Sequence, residues 1–432
     1  MKQEIRSALL DGYNIPIRDA LWGHIYLTPS LAGLVNSSPF MRLNRIMQLG
    51  PAYLVYPGAT HTRASHSIGV YHLARRLLLH LTEQGADAWL SQQGVMSFLC
   101  AALLHDLGHF PYTHSLKELP LEEHEALTGK LILVDPLKDL VAKTGGDPDF
   151  TAAIVDTSLP EGKNDLKELS FYRKLLSGSM DPDKLDYLCR DARYCGVPYG
   201  VQDVDFILSR LHPHSERGVD IDSRGVTAIE SLLFSKYLMY KAVYWHRAVR
   251  SATAMVKKAL FKGLETKRIA GTDLYNLDDQ GLFALAAAEC DNSGHSMAVF
   301  PLIDLVKEGR LFLTAVEIPF DEKIHHKLLL LPERSRVEEE LAQEFSALFG
   351  KKLKENAVII DLPETISFES GLYISDENCP FSDGSSIMKN GLVDAFVKSL
   401  RIIRVFVDSC YEAEIKLCRE GILNITQKRL QL

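Results

Sequence analysis

The sequence predicts a mainly α protein with a smaller α+β region at its C-terminal end. Helical patterning of apolar residues dominates from His66 to about Lys267. After about residue 315 the pattern changes, because AVEIPF, NAVIIDLP and RIIRVFV are typical of strands and SRVEEELAQEFSALFG is typical of a helix. We therefore expect a helical core over residues 1–315 and an α+β region over residues 316–432.

Three segments justify the predicted elements of the core. Ser97 to Leu107 reads SFLCAALLHDL, an apolar stripe of helical period that we expect to end near Gly108 and Pro111. A second helix opens at His66 with HSIGVYHLARRLLLHL. HPHSERGVDIDSRG, residues 212–225, alternates polar and β-prone residues and predicts a hairpin inserted between helices.

The composition excludes several classes of function. The chain has 432 residues and a net charge of −8, which argues against broad affinity for nucleic acid. No stretch approaches the length needed to span a bilayer, and MKQEIRSALLDGYN lacks the apolar run of a signal peptide. The seven cysteines are scattered, which fits a reducing compartment. We expect a cytoplasmic protein with no membrane partner.

Four ligand-type residues recur along the helical region: His66, the pair His105 and Asp106, and Asp183. Two imidazoles and two carboxylates suit Mn²⁺, Fe²⁺, Zn²⁺, Co²⁺ or Ni²⁺, and such a site activates water for attack on phosphorus or carbonyl centres. A single histidine is more often a hydrogen-bonded core residue. The whole set favours a metal-dependent hydrolase, because a buried aspartate rarely lacks a charge partner or a metal.

Residues around Asp183 have the spacing of one helical face. Lys184, Tyr187 and Asp191 follow at i, i+3 and i+7, so one helix can direct a cation, an aromatic ring and a carboxylate toward a cleft. A solvated charged face is the alternative interpretation for such a helix.

A second cluster has the chemistry of a polyphosphate site. Lys236, Tyr240 and Tyr244 lie at successive i+4 steps, with His246 and Arg247 close behind. Cations of this kind offset the charge of a polyphosphate. Surface cations on an amphipathic helix are the alternative.

Further histidines surround the His-Asp pair. His61 and Arg63 lie in the loop PGATHTRASH and could add cationic contacts. His109, His114 and His124 follow the pair, and the titration range of histidine suits general acid catalysis.

Three strings resemble a known family. QLGPAYLVYPGATHTRASHSIGVYHLA, AALLHDLGHFPYTHS and DPDKLDYLCRDARYCG resemble the HD-domain deoxynucleoside triphosphate triphosphohydrolases over roughly residues 15–315. The resemblance implies a helical HD core that cleaves a dNTP into deoxynucleoside and inorganic triphosphate. It also implies a homo-oligomer and a divalent metal cofactor, which we leave open among Mn, Mg, Fe, Zn, Co and Ni.

The resemblance also assigns roles to individual positions. Metal ligands are implied at His66, His105, Asp106 and Asp183. His114 falls at the position of the acid for the 5′-oxygen, with His109 and His124 beside it. Phosphate contacts are implied at Arg63, Lys184, Lys236 and Arg247; sugar or base contacts at Tyr187, Gln48, Asp191 and Leu49; and Tyr244 and His246 also match.

Two departures from the family pattern qualify these expectations. Asn36, Met41 and Asn44 stand where the animal enzyme binds an activating guanine nucleotide, so we do not expect activation by that route, and a nucleotide activator stays open as a partner. Lys117 stands where an acidic residue often supports the His114 position, so either Glu118 substitutes or the proton relay differs. The alternatives are an HD-type phosphohydrolase acting on another nucleotide or phosphate ester, and a nucleotide-binding regulator with a vestigial HD site.

Overall fold

Helices make up most of the structure, as the sequence predicts. The computed structural model describes residues 1–160, 165–287, 300–366, 371–385, 387 and 390–430. The first helices are α1 (Gln3–Leu10), α2 (Pro29–Val35), α3 (Ser38–Arg42), α4 (Arg63–Glu83), α5 (Gln92–Leu104), α6 (His124–Ile132), α7 (Leu137–Lys143), α8 (Pro148–Val155), α9 (Leu166–Ser177) and α10 (Pro182–Cys195). They are followed by α11 (Val204–Ser209), α12 (Val226–Met239), α13 (Arg247–Glu265), α14 (Asp279–Ala287), α15 (Pro301–Lys307), α16 (Glu322–His325), α17 (Leu331–Phe349), α18 (Phe381–Gly384), α19 (Asn390–Leu400), α20 (Glu412–Leu417) and α21 (Arg419–Leu430).

The strands form three small sheets. Their order is β1-β2, β3-β4-β7-β8 and β5-β9-β6, and every described pairing is antiparallel except that of β4 with β7. The strands are β1 (Ile15–Asp19), β2 (Gly23–Leu27), β3 (Leu211–His214), β4 (Gly218–Ile221), β5 (Leu313–Pro319), β6 (Val358–Asp361), β7 (Tyr373–Ile374), β8 (Cys379–Pro380) and β9 (Ile402–Val407).

The hairpin expected within residues 212–225 is confirmed as β3 and β4. Its outer neighbour comes from the C-terminal region, because Ile221 of β4 pairs with Ile374 of β7. The division of the chain at residue 315 stays a prediction, and this pairing crosses it.

Local signals explain where the central helices begin and end. The side chain of Thr62 caps α4 by accepting from the Ser65 N–H, and Ser91 caps α5 by accepting from the Gly94 N–H at 2.9 Å. Asp181 caps α10 in the same way, and Gly196 ends that helix with a φ of 67°. α5 is buried along nearly its whole length, and α4 packs against both α5 and α10. This packing brings three distant sequence motifs to one place.

No helix among the described residues is both long and apolar enough to cross a lipid bilayer.

Candidate active site

The four ligand-type residues converge where α4, α5 and α10 meet. Nε2 of His66 lies 2.9 Å from Oδ1 of Asp183, and Nε2 of His105 lies 3.3 Å from Oδ1 of Asp106 and 3.9 Å from Oδ1 of Asp183. One ligand atom from each of His66, His105 and Asp106 lies within 4.8 Å of the others. The geometry therefore joins residues that the sequence separates by more than a hundred positions.

The donor set fits a divalent metal ion. Nδ1 of His105 donates to the Ala102 carbonyl at 3.0 Å, so Nε2 carries the lone pair. That nitrogen is buried and has no hydrogen-bond partner among the described residues. A buried polar atom is rarely left unpaired, and nitrogen with carboxylate oxygen suits a transition metal. His66, His105, Asp106 and Asp183 are the residues that could hold such an ion.

Charges within this cluster stabilise one another. Burial disfavours the charged His66 ring, but hydrogen bonds to Asp183 and Asp186 outweigh it and raise the pKa of His66 to about 10. Burial also opposes ionisation of Asp106, yet the neighbouring histidines and Arg63 hold the pKa of Asp106 well below its usual range. A metal ion at Nε2 of His66 would have to displace the proton from that nitrogen.

Asp186 supports His66 from behind, and sequence reasoning missed it. Oδ2 of Asp186 lies 2.9 Å from Nδ1 of His66, while Arg190 donates to both carboxylate oxygens at 2.8 and 2.9 Å. Trp22 donates to Oδ1 of Asp186 at 2.5 Å, and Arg190 also donates to Asp19 at 2.8 Å. Asp186 lies at i+3 from Asp183 and Arg190 at i+7, a spacing that could have indicated a shared helical face.

The three further histidines lie beside this cluster. His109 and His124 are buried, whereas His114 is an exposed residue. Nε2 of His109 lies 3.0 Å from Nε2 of His114, and the rings of His109 and His124 are 3.9 Å apart. Burial, first of all, lowers the pKa of His109 and of His124 well below its usual range. Both buried rings are therefore neutral at pH 7.

Arg63 and Glu118 have partners that the sequence did not reveal. Arg63 is buried and donates from one terminal nitrogen to Asp106 at 2.8 Å, while its Nε has no partner among the described atoms. Glu118 pairs with Lys257 and with Arg334, at 2.6 Å in the second case. Its carboxylate is directed toward α13 and α17, and the expectation that Glu118 supports His114 stays a prediction.

The residues expected around a sugar form a buried hydrogen-bonded group. Oδ1 of Asp191 lies 2.8 Å from Nε2 of His61, and the Tyr244 hydroxyl donates to Oδ2 at 2.6 Å. Tyr187 lies one turn before Asp191 on α10, its ring 6.4 Å from that of Tyr244. The N–H of Gln48 donates to the His61 carbonyl, and the Gln48 side-chain oxygen is buried without a partner in the described structure. Leu49, next in sequence, is partly buried.

The cluster of Lys236 to Arg247 is interrupted rather than continuous. Residues Tyr240–Tyr244 form a π-helical turn, and a new helix begins after His246, whose Nδ1 accepts from the Ala248 N–H. The Tyr240 and Tyr244 rings remain neighbours, 5.0 Å apart, and Arg247 begins the next helix. Lys236 is buried on α12, which packs against α10.

Lys184 directly follows Asp183 in the first turn of α10, and Arg247 is the first residue of α13. Nζ of Lys184 donates to Asp181 at 2.5 Å and to the Gly178 carbonyl. Arg247 is exposed and lines a cavity of about 460 Å³ with Lys416 and Arg419. The lining of that cavity includes none of the four ligand-type residues.

Comparisons with known proteins place the chain among HD-domain proteins. Residues 63–143 match the HD domain, and residues 203–431 match the HD-associated region. An uncharacterized protein of Methanocaldococcus jannaschii is 35% identical over 62% of this chain and 53% of its own length. The deoxynucleoside triphosphate triphosphohydrolase SAMHD1 of Bos taurus is 26% identical over 63% of this chain and 51% of its own length. The chain spans about half the length of the curated relatives that it matches.

A solved structure has the same fold. The crystal structure of a phosphohydrolase from Bacteroides thetaiotaomicron has a TM-score of 0.69 and 23% identity, and the match covers 91% of this chain and 100% of the other. The helical fold and the His-Asp cluster thus define an HD-domain protein. Since the HD-associated region alone matches more than half of the sequence, the chain belongs to the family in which that region follows an HD domain.

Proposed function

We propose that the chain is a metal-dependent hydrolase that cleaves dNTPs into deoxynucleoside and inorganic triphosphate. The observation that carries this proposal is the arrangement of α10. Its first turn directs Asp183 to the ligand cluster, and its later turns direct Tyr187 and Asp191 to a polar group suited to a sugar. A general phosphatase has no need of a sugar-binding set beside its metal ligands.

The ligand cluster supplies the electrophilic half of the reaction. His66, His105, Asp106 and Asp183 would hold the ion, which when bound polarises a phosphate oxygen and lowers the pKa of a water. Asp186 keeps the proton of His66 on Nδ1, which leaves Nε2 for that ion. The unpaired Nε of Arg63 supports contact with an anionic oxygen of the substrate.

His114 is the proposed acid for the leaving group. Water attacks the α-phosphorus, the bond to the 5′-oxygen breaks, and that oxygen takes a proton from His114. His114 is an exposed residue, while the adjacent His109 is buried and fixed through its carbonyl by Arg42 at 2.7 Å. The His109 nitrogen 3.0 Å from His114 can then share the remaining proton.

Asp191 and Tyr187 are the proposed sugar contacts. The contacts to His61 and Tyr244 fix both oxygens of Asp191, so the carboxylate is already oriented for a 3′-hydroxyl. We propose that the Tyr187 ring packs on the sugar and disfavours a 2′-hydroxyl. Homo-oligomerisation and a cytoplasmic location stay predictions, and base preference and activation by a nucleotide stay open.

The direct test is product analysis. The four dNTPs, singly and mixed, are incubated with Mn²⁺, with Mg²⁺ and with EDTA. Metal-dependent release of deoxynucleoside and inorganic triphosphate is the expected result, and activity only in mixtures would indicate a nucleotide activator. Release of pyrophosphate or phosphate would instead favour another phosphohydrolase reaction. Nucleotide binding without turnover under any condition would favour the regulator.

A variant of a proposed ligand and a matched control test whether the activity depends on the candidate active site. Asp183→Ala should lose bound metal and turnover together, because it removes one of the four proposed ligands. Asp205→Ala is the control, since Asp205 is an exposed aspartate on α11 that pairs only with Arg76 among the described contacts. Undiminished turnover in Asp183→Ala would contradict the assignment of the site.

A further inference from the structure

The histidines beside the ligand cluster form a second group of possible metal donors. His109, His114 and His124 each offer one ring nitrogen, and these three atoms lie within 4.8 Å of one another. The ring centres are 3.9 Å apart for His109 and His124, 4.7 Å for His109 and His114, and 5.2 Å for His114 and His124. Proton transfer to a leaving group requires only one of these three rings. The other two rings therefore have no direct role in that step.

A carboxylate oxygen lies close to Nδ1 of each of the two buried rings. Nδ1 of His109 lies 3.1 Å from Oδ1 of Asp106, and Nδ1 of His124 lies 3.1 Å from Oε2 of Glu125. Neither Nδ1 has an aligned hydrogen-bond partner among the described residues. A carboxylate beside Nδ1 favours the proton on that nitrogen and leaves a lone pair on Nε2. In His109 that Nε2 faces Nε2 of His114 at 3.0 Å.

The backbone around these rings is held rigidly. A Cβ on Gly108 would lie 2.1 Å from the His124 carbonyl oxygen, so only glycine allows the start of α6 to approach the His-Asp turn this closely. The Gly108 N–H donates to Thr128 at 2.8 Å, and the Thr128 hydroxyl donates to the His105 carbonyl at 3.0 Å. Rings supported in this way can bind an ion with little reorganisation.

We propose that His109, His114 and His124 bind a transition-metal ion of the Zn²⁺ class at a site separate from that of His66, His105, Asp106 and Asp183. Three imidazoles are a known zinc donor set, with a fourth position open to water or an anion. Zn–N bonds of about 2.1 Å place tetrahedral nitrogens about 3.4 Å apart, so small ring rotations are sufficient. A site with only nitrogen donors selects against Mg²⁺, which prefers oxygen.

An ion bound at this site would occupy a ring nitrogen of His114, the proposed acid. Because a metal-bound ring cannot donate a proton, excess Zn²⁺ should inhibit turnover while leaving the other metal site filled. This consequence rests on the proposed function, whereas binding of the ion does not.

The test measures zinc on the full chain. Protein stripped with EDTA is dialysed against Zn²⁺ with excess Mg²⁺, and bound zinc is measured by mass spectrometry. The wild-type chain should hold one ion more than His114→Gln, and one ion more than Asp183→Ala. The double variant, with His114→Gln and Asp183→Ala, should lose both ions. Because zinc bound to cysteines elsewhere is the same in all variants, it cancels in these differences. His24→Gln, which changes an exposed histidine, should match the wild type.

Two results separate this inference from the proposed function. His114→Gln should fold normally because His114 is an exposed residue, and His124→Gln provides a second measurement. Zinc content equal to wild type in both variants would overturn the site, whatever the turnover. A loss of one ion in both, together with no dNTP hydrolysis by the wild type, would keep the site and overturn the proposed function.

Discussion

At the scale of single residues, Asp186 is among the most constrained groups near the candidate active site. It is fully buried and contacts His66, Arg190 and Trp22. Burial opposes its charge, but Arg190 and His66 outweigh that effect and lower the pKa of Asp186 to about 2. Its charge therefore persists at any ordinary pH, and with it the orientation of His66.

Replacing Asp186 tests this supporting role. Asp186→Asn should weaken metal binding by about 10- to 100-fold, because an amide no longer fixes the charge and tautomer behind His66. It should also destabilise the protein by about 3–5 kcal/mol, since Arg190 stays buried with one anionic partner fewer. Metal affinity by titration and stability by urea unfolding are the measurements. Asp205→Asn is the matched control, and unchanged metal affinity in Asp186→Asn would contradict the role.

Tyr187 permits a test of substrate selection. Tyr187→Ala should raise the rate on ribonucleotides relative to deoxynucleotides, because the ring proposed to exclude a 2′-hydroxyl is gone. Tyr187→Phe keeps the ring and should retain wild-type discrimination. The ratio of kcat/KM for dNTP and NTP is the measurement, and an equal ratio in all three proteins would remove the sugar role of this ring.

At the scale of elements, the close crossing of α4 and α10 brings the residues of the candidate active site together. A Cβ on Gly69 would lie 2.0 Å from Oδ1 of Asp186 and 2.4 Å from a terminal nitrogen of Arg190. The absence of a side chain at Gly69 thus allows the buried ion pair of α10 to lie against α4. Helical propensity alone would favour alanine at such a position.

Two glycine-to-alanine variants distinguish the effect of helical propensity on stability from the effect of packing. Gly69→Ala should destabilise the protein by about 1–3 kcal/mol, because the added methyl group overlaps buried polar atoms. Gly391→Ala, in a helix with open space around it, should stabilise the protein by up to about 1 kcal/mol. Thermal or urea unfolding measures both changes. A stabilised Gly69→Ala would show that the helices can separate without cost.

At the scale of the whole molecule, buried ion pairs join the turn of the candidate active site to the C-terminal region. Glu118, four residues after His114, pairs with Lys257 of α13 and Arg334 of α17. Lys258 pairs with Glu338, and Arg250 pairs with Asp361 of β6 at 2.6 Å. These contacts are buried, so removing one partner leaves an uncompensated charge.

The Glu118 pairs predict a dependence of stability on pH. Burial raises its pKa, but Lys257 and Arg334 outweigh burial and lower the pKa of Glu118 from 4.5 to about 2. The stabilisation is therefore complete above pH 4.5 and is lost as pH falls toward 2. The difference corresponds to about 3 kcal/mol.

Glu118→Gln should remove that part of the acid sensitivity and lower stability near pH 7 by about 3–5 kcal/mol. Urea unfolding between pH 7 and pH 2 is the measurement. Glu333→Gln is the control, because Glu333 forms an exposed pair with Arg336 on α17 and such pairs contribute about 0–1 kcal/mol. The same pH profile in Glu118→Gln and wild type would contradict the prediction.

The helices that carry the site follow from local signals in the sequence. Apolar periodicity predicts α4 and α5, and the spacing of Lys184, Tyr187 and Asp191 predicts one face of α10, because these signals act within a few residues. The tertiary structure alone decided the contact of Asp186 with His66, which are 120 residues apart, and the direction of Glu118 toward α13 and α17. It also decided the π turn at Tyr240–Tyr244 that separates Arg247 from Lys236. Such pairings depend on how the helices cross. The free energy of burying and pairing charges at a crossing depends on residues far apart in sequence, so no local sequence pattern predicts it.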